Sequence, residues 1–439
     1  MSKSNGSDSL RLSLGRWFAE NKNYGALGKK IDRECIMKVL YLTMDGYDTA
    51  GPNNQMSMVM IREFTKHGYQ VHLIQSRRTK KYPEVPEMLK DLEGLKIETV
   101  DRKVIDKSHF VVRYLDEVKW AFQSMAHWRK VKNADVVFLQ SCPTAFVQLI
   151  LLKLFYHKPV IFNIYDMWPG HALDLGVMNS RFLYDCFRLL QKIAYALSTK
   201  IAVLSEDMRD KLMAEGVKKD KIVIVPAWYD DAVAMEIPRS ENKFLKKYDL
   251  APKDFIVQFA GTIGYVFNYK LVLDTAELMK NDAGIRFQMI GDGLFKKTFV
   301  EEARARGLDN IDFYPLQPVD IVPDVYSACD IEIIPLRKGV IGNGVPSKAP
   351  LLMACHKTII NSVEENSAYY HLFNDNEMGV SVPLNDANAL AEAIRALAAD
   401  PERCKRMADR AKEYSHKYYS ASVCTKKFMD AFDAMAHKG

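Results

Sequence analysis

Two glycine-bearing stretches in the C-terminal half hold the residue types that bind phosphate. The first is Phe-Ala-Gly-Thr-Ile-Gly at 259–264, where an apolar run ends in a turn carrying Gly261 and Gly264. Such a turn brings bare backbone close to an anion and aims the first amides of the next helix at it. Lys270 follows near that helix start and would add a positive charge, although a solvent-facing lysine looks the same in sequence. The second stretch is Pro-Leu-Arg-Lys-Gly-Val-Ile-Gly-Asn-Gly-Val-Pro-Ser-Lys at 335–348, between a buried strand and a helix. Glycines mixed with lysines and an arginine ahead of a helix make a second anion-binding loop. Ser347 fits that loop or a plain N-cap.

Both loops need a parallel sheet to hold them, and the chain supplies alternating short apolar runs and helical patterns. In the first half, strands are expected at Met37–Met44, Tyr69–Gln75, Val136–Gln140, Pro159–Ile164, Lys200–Leu204 and Lys221–Val225. In the second half they are expected at Phe255–Ala260, Arg286–Ile290, Ile311–Tyr314, Ile331–Pro335 and Thr358–Asn361. The implied architecture is α/β, two Rossmann-like doubly wound domains with a cleft between them. Residues 1–34 read as an extension, 35–232 as the first domain and 233–253 as a linker. Residues 254–415 form the second domain, and 416–439 a terminal helix that packs back toward the first.

Composition narrows the function classes. At 439 residues with 48% hydrophobic content the chain supports two globular cores. The longest apolar run, Ala145 to Tyr156, is interrupted by Gln148 and Lys153, so it reads as a buried helix and not a span. The N-terminus lacks the apolar core of a signal peptide. Seven scattered cysteines, with no C-x-x-C spacing, argue against a zinc site or a disulfide framework and for a reducing, cytoplasmic setting. Residues 1–232 carry 35 Lys+Arg against 27 Asp+Glu, a balance of +8, whereas the rest carries 26 against 28, a balance of −2. The basic half would suit anionic lipid or a phosphate-bearing acceptor, or is ordinary surface charge. Leu10, Leu14, Trp17 and Phe18, with Arg77, Arg78, Lys80 and Lys81, form one candidate for holding the chain at a membrane surface. No nucleic-acid partner is expected. No G-x-G-x-x-G follows either first strand, which disfavours a nicotinamide dehydrogenase.

The motifs also carry a family resemblance. Phe-Ala-Gly-Thr-Ile-Gly at 259–264, Ile-Gly-Asp-Gly at 290–293, Asp330 in Ser-Ala-Cys-Asp-Ile-Glu-Ile-Ile-Pro-Leu and Val-Pro-Ser-Lys at 345–348 resemble family 4 of the retaining glycosyltransferases, of GT-B fold. So do Ala-Val-Leu-Ser-Glu-Asp-Met at 202–208 and Tyr-Asp-Met-Trp-Pro at 165–169. The order is kept over residues 37–435, and the likeness is strongest to bacterial members that build O-antigen, capsule and exopolysaccharide, including the fucosamine-transferase-like branch. The resemblance implies a nucleotide-diphosphate sugar, a UDP-sugar by expectation, as donor and a lipid-linked or glycan acceptor, with no cofactor and no metal. It implies that Gly264 and Lys270 contact the diphosphate and that Gly342, Asn343, Gly344, Val345, Pro346, Ser347 and Lys348 hold sugar and phosphate. It places Tyr314–Gln317, with Leu316, near the base, and Gly51 and Asp166 near the acceptor or transferred sugar. Lys270, Lys348 and the loop amides would stabilise the departing diphosphate.

Two departures accompany the resemblance. Many relatives have a His-Asp pair where this chain has Tyr165 and Asp166, and His171 in the same loop is a substitute or incidental. Many also carry two glutamates separated by seven residues, at positions held here by Asn343 and Leu351. A leucine accepts no hydrogen bond from a ribose, so nucleotide contact must differ. Glu364, Glu365, Asn366 and Ser367 are candidates for sugar contact or for capping a helix. No Asp-x-Asp motif lies in a suitable loop. Competing readings are a non-catalytic scaffold assisting another transferase and a sugar-nucleotide epimerase, which would convert donor without acceptor.

Overall fold

In the computed structural model, residues 36–47, 52–78, 85–105, 110–170, 180–250 and 253–436 are described. Gly51, Lys80, Lys81, His171 and the extension bearing Leu10, Leu14, Trp17 and Phe18 lie outside them. Contacts divide the chain into Met1–Ile36 and Met37–Gly439, and the second unit holds both sheets.

The first lobe contains β1 (Lys38–Leu42), α1 (Pro52–Lys66), β2 (Gln70–Arg77), β3 (Leu95–Asp101), α2 (Phe110–Met125) and α3 (Trp128–Asn133). It continues with β4 (Val136–Gln140), α4 (Ala145–Leu151), β5 (Val160–Asn163), α5 (Arg181–Leu197), β6 (Lys200–Val203), α6 (Glu206–Ala214) and β7 (Ile222–Ile224). The strands are parallel in the order β3-β2-β1-β4-β5-β6-β7. The central strands β1, β4 and β5 are buried on both faces, which is why they read as unbroken apolar runs.

The second lobe contains α7 (Lys243–Lys247), β8 (Phe255–Ala260), α8 (Tyr269–Leu278), β9 (Ile285–Ile290), α9 (Lys296–Ala305), β10 (Ile311–Tyr314) and α10 (Val322–Ser327). Then come β11 (Ile331–Pro335), α11 (Ala349–Ala354), β12 (Thr358–Val363), α12 (Ala368–Asp375), β13 (Val380–Pro383), α13 (Ala387–Ala399), α14 (Pro401–Tyr418) and α15 (Ala421–Ala436). These strands are also parallel, ordered β10-β9-β8-β11-β12-β13. The strand order reverses between β1 and β4 in one sheet and between β8 and β11 in the other. Ligands of such sheets bind outside the carboxyl ends at these points. The loops after β8 and β11 are the two glycine-bearing stretches.

Three details differ from the sequence reading. β3 and β13 are edge strands, with polar residues breaking the apolar signal (Leu-Lys-Ile-Glu-Thr-Val-Asp and Val-Ser-Val-Pro), and neither was expected. The span 233–253 is not all linker: Asn242 caps α7 through Leu245 N (3.0 Å), and Phe244 and Leu245 are buried in the second lobe's core. That lobe therefore reaches back to Asn242.

The chain returns to the first lobe at its end. Phe428 and Phe432 of α15 are fully buried there, with Phe428 5.1 Å from Phe138 of β4 and Phe432 5.3 Å from Phe64 of α1, ring to ring. Each buried phenyl contributes about 1.5–3 kcal/mol.

Candidate active site

The turn after β8 is held by its neighbour after β9. Gly261 N donates to Ile290 O (2.9 Å), Ile263 N to Asp292 O (2.9 Å) and Phe295 N to Ile263 O (3.0 Å). A Cβ on Gly291 would lie 1.9 Å from Gly261 O, so Gly-Asp-Gly lets two backbone turns touch. Asn268 caps α8 by accepting from Leu271 N (3.3 Å). Lys270 is exposed in the first turn of that helix, where an anion meets both the ammonium and the helix N-terminus.

The loop after β11 is folded on itself and on its neighbours. Arg337 N donates to Val266 O (3.0 Å), and Arg337 Nη1 reaches Tyr265 O (3.4 Å), which puts a half-buried guanidinium beside the approach to α8. Gly339 N donates to Glu364 Oε1 (2.7 Å) and Asn343 Nδ2 to Gly339 O (2.7 Å). Among the described residues, the half-buried amides of Val345 and Ser347 donate to no group of the chain. Such amides want an acceptor.

Lys348 stands at the start of α11, as expected, but its ammonium is turned to a buried acid. Its Nζ pairs with Glu332 Oε1 at 2.8 Å and lies 3.7 Å from the ring centre of Phe259. Glu332 is fully buried in β11 and also accepts from Ala260 N (2.8 Å) and Gln258 Nε2 (3.1 Å). Burial pushes the Glu332 carboxyl up and the Lys348 amine down, each opposed by its partner. The lysine thus neutralises a carboxylate beneath the Gly261 turn. The sequence expectation gave this charge to the diphosphate; in the structure the ammonium is held by Glu332. Ser347 is no cap, because the N-cap position of α11 is Lys348 and no side chain caps that helix.

Across the two lobes, the loop after β5 meets the loop after β11. Met167 N donates to Asn343 O (2.7 Å), and Lys211 of α6 donates through Nζ to Asn343 Oδ1. Asp166 is exposed, and its Oδ1 would be 2.9 Å from a Cβ on Gly344, so glycine is what allows this approach. Tyr165 points the other way: it is buried, with its hydroxyl 3.4 Å from Ser57 Oγ. Burial raises its pKa above the usual phenol value, so the hydroxyl keeps its proton there.

Asp207 of α6 makes a second bridge, accepting from Ala368 N (2.7 Å) and Tyr369 N (3.1 Å) at the start of α12. Ser367 completes that cap through Tyr370 N (3.1 Å) and gives its hydroxyl to Glu364 O (2.6 Å). Ser367 is therefore a buried cap, the second of the two roles expected for it. Glu365 and Asn366 remain exposed beside it. Leu316 is 63% exposed, flanked by Gln317, which is tied to Lys247 (3.0 Å) and Tyr248 (3.0 Å).

Two family models match this chain: "Glycosyltransferase Family 4" over residues 57–233 and "Glycosyl transferases group 1" over residues 240–414. The first ends and the second begins where the first lobe gives way to the second. The chain belongs to glycosyltransferase family 4. "Probable glycosyltransferase WbjE" of Pseudomonas aeruginosa is 25% identical over 293 residues, 66% of this chain and 72% of that protein. WcaI of Escherichia coli K12, named for colanic acid biosynthesis, is 25% identical over 155 residues, 35% of this chain and 38% of WcaI. The fold is shared with sucrose-phosphate synthase of Thermosynechococcus elongatus (TM-score 0.71, 14% identity, 92% of this chain and 100% of that one). It is shared too with Anabaena HepE in complex with UDP (TM-score 0.68, 13% identity, 91% and 100%). These likenesses confirm the GT-B fold.

The sequence reading of this family 4 glycosyltransferase passed over Lys211, Asp207 and Arg337 as individual site residues. Glu332 and Gln258 did leave a signal, as single polar residues inside apolar strands. Among the described residues, no helix is long and apolar enough to cross a membrane.

Proposed function

We propose that the chain transfers a hexosyl or N-acetylhexosaminyl group, with retention of configuration, from a UDP-sugar to a lipid-linked or glycan acceptor in bacterial surface-polysaccharide assembly. The observation that carries this reading is the meeting of Asp166 with Gly344 at the carboxyl edges of both sheets, which closes a donor loop over an acceptor-side carboxylate. The naming of WcaI for colanic acid biosynthesis and the UDP and UDP-glucose complexes of HepE support it. Departure of UDP is assisted by Lys270, Arg337, the α8 N-terminus and the amides of Val345 and Ser347, without a metal ion. Asp166 faces the transferred sugar or the acceptor hydroxyl. Leu351 leaves the ribose to other groups. Calorimetry with UDP, GDP and dTDP, followed by NMR of slow donor hydrolysis, tests this. UDP binding and an α-sugar released first from an α-donor are expected, whereas a β-sugar released first would refute retention.

A scaffold reading has one observation in its favour: the side chain of Asn343, at a position where relatives have glutamate, is used up by Lys211 and Gly339. Absence of binding by all three nucleotides would select it.

A further inference from the structure

The outer face of the first lobe is apolar where a soluble helix should be polar. Among the described side chains of α2, the exposed positions are Val112, Leu115, Lys119 and Phe122, one stripe at helical spacing, with Phe122 54% exposed. Its inner face meanwhile buries Glu117, Trp120 and Ser124. The amphipathic order of this helix is thus partly inverted. Beside it, α4 runs into a π-helical turn (Leu152–Tyr156) that exposes Lys153, Leu154 and Phe155, the last at 70%. On α5 the outward stripe is Phe182, Cys186, Leu189 and Lys192, with Phe182 at 76%.

These three elements are neighbours. Gln148 Nε2 donates to Ser124 Oγ (2.9 Å) and Tyr156 OH to Met125 O (3.3 Å), joining α4 and its π-helical turn to α2. Tyr114 and Phe187 pack with ring centres 5.2 Å apart, joining α2 to α5. The large side chains therefore share one face, a concentration that isolated soluble proteins avoid. The exposed charges among them are Lys119, Lys153, Arg181 and Lys192 against Asp185 alone, and Asp185 lies 3.5 Å from Arg181.

We propose that α2, the turn at Leu152–Tyr156 and α5 form an interfacial docking surface for an anionic lipid bilayer. Apolar side chains ringed by lysines suit the headgroup boundary, the phenyls entering the acyl edge and the ammonium groups staying among phosphates. The charge chooses this occupant over a second copy of the chain, because a two-fold contact would set like cations against each other. The surface belongs to the lobe that carries Asp166, so docking would bring that edge to a lipid-linked acceptor; only this last point rests on the proposed function.

The test uses the full chain with Cys35→Ser and a polarity-sensitive fluorophore on Cys186. Vesicles of phosphatidylglycerol and phosphatidylethanolamine in equal parts are compared with phosphatidylcholine alone, by flotation and by emission. Flotation with the anionic vesicles and a blue shift of the probe are expected. Phe122→Ser/Phe155→Ser/Phe182→Ser should weaken flotation at least tenfold. Each of Lys119→Glu, Lys153→Glu and Lys192→Glu should weaken it about fivefold or more, the usual worth of one basic side chain at such a surface. Melting temperatures should not fall, because every position is exposed. Equal flotation of altered and unaltered chains overturns the proposal. So does flotation without a blue shift, or a blue shift without vesicles that tracks a dimer. UDP titration runs alongside: failure to bind UDP with flotation intact counts against the transferase reading and leaves the docking surface standing.

Discussion

Replacing Lys348 by Met distinguishes a structural lysine from a donor-binding one. Methionine keeps the length of the side chain and its packing on Phe259 but removes the charge that faces Glu332 at 2.8 Å. Breaking a buried pair by removing one partner costs about 3–5 kcal/mol. The low end applies here, because Ala260 N and Gln258 Nε2 still donate to the carboxylate and it can take up a proton. For a lobe of this size, about 3 kcal/mol lowers the melting temperature by about 6–12 °C. Glu332→Gln alone should cost a similar amount, since it strands the ammonium. The double variant Lys348→Met/Glu332→Gln should recover about 2 kcal/mol or more relative to the sum of the single losses, the mark of a direct contact. Scanning calorimetry of the four proteins reads this cycle. UDP titration at a temperature where all are folded supplies the second readout, with affinities expected within a few-fold of one another. An unshifted melting temperature in Lys348→Met, together with UDP binding weakened by tenfold or more, would refute the reasoning and return the lysine to the diphosphate.

Lys270→Ala and Arg337→Ala should each weaken UDP binding by about 1.5–3 kcal/mol, roughly tenfold to a hundredfold, with little loss of stability. Unchanged calorimetric affinity in both would move the diphosphate away from the start of α8. Donor binding and turnover should survive EDTA, and loss restored by magnesium or manganese would refute a protein-only leaving-group clamp. Burial pushes the thiols of Cys142, Cys355 and Cys424 up to about 12, so at pH 8 they stay protonated and should resist maleimide until the protein unfolds. Raising the pH to 10 should not release them, because they would still be far below their titration; Cys186, which is exposed, should react at once. Mass spectrometry of peptides from native protein counts the labels.

The architecture was legible because central parallel strands are buried on both faces. Val136–Gln140, Phe255–Ala260 and Ile331–Pro335 appear in the sequence as apolar runs with the bounds they have in the structure. Strands at the rim, β3 and β13, mix charge or hydroxyl with apolar residues and lose that contrast. Short α7 was hidden for another reason: five residues carry too few turns for a helical period, and its place is set by tertiary burial of Phe244 and Leu245.

The site was legible as loops but not as partnerships. Glycines between a strand and a helix announce a turn close to an anion, and both loops lie at the carboxyl edge of the second sheet. Whether a lysine at such a turn faces solvent or a buried acid depends on a residue far away in sequence and next door in the sheet. Glu332 decides that for Lys348, and only the parallel pairing of β8 with β11 brings it beneath Ala260. The same holds between lobes. Asn343 looks like a lost family glutamate when its own loop is read, but Lys211 and Met167 turn it into a contact that joins the two loops. A substitution at Asn343 therefore acts on the contact between the lobes as well as on the donor contact proposed for its loop. Lys211→Met leaves the donor loop's own residues untouched and isolates the first of these effects from the second.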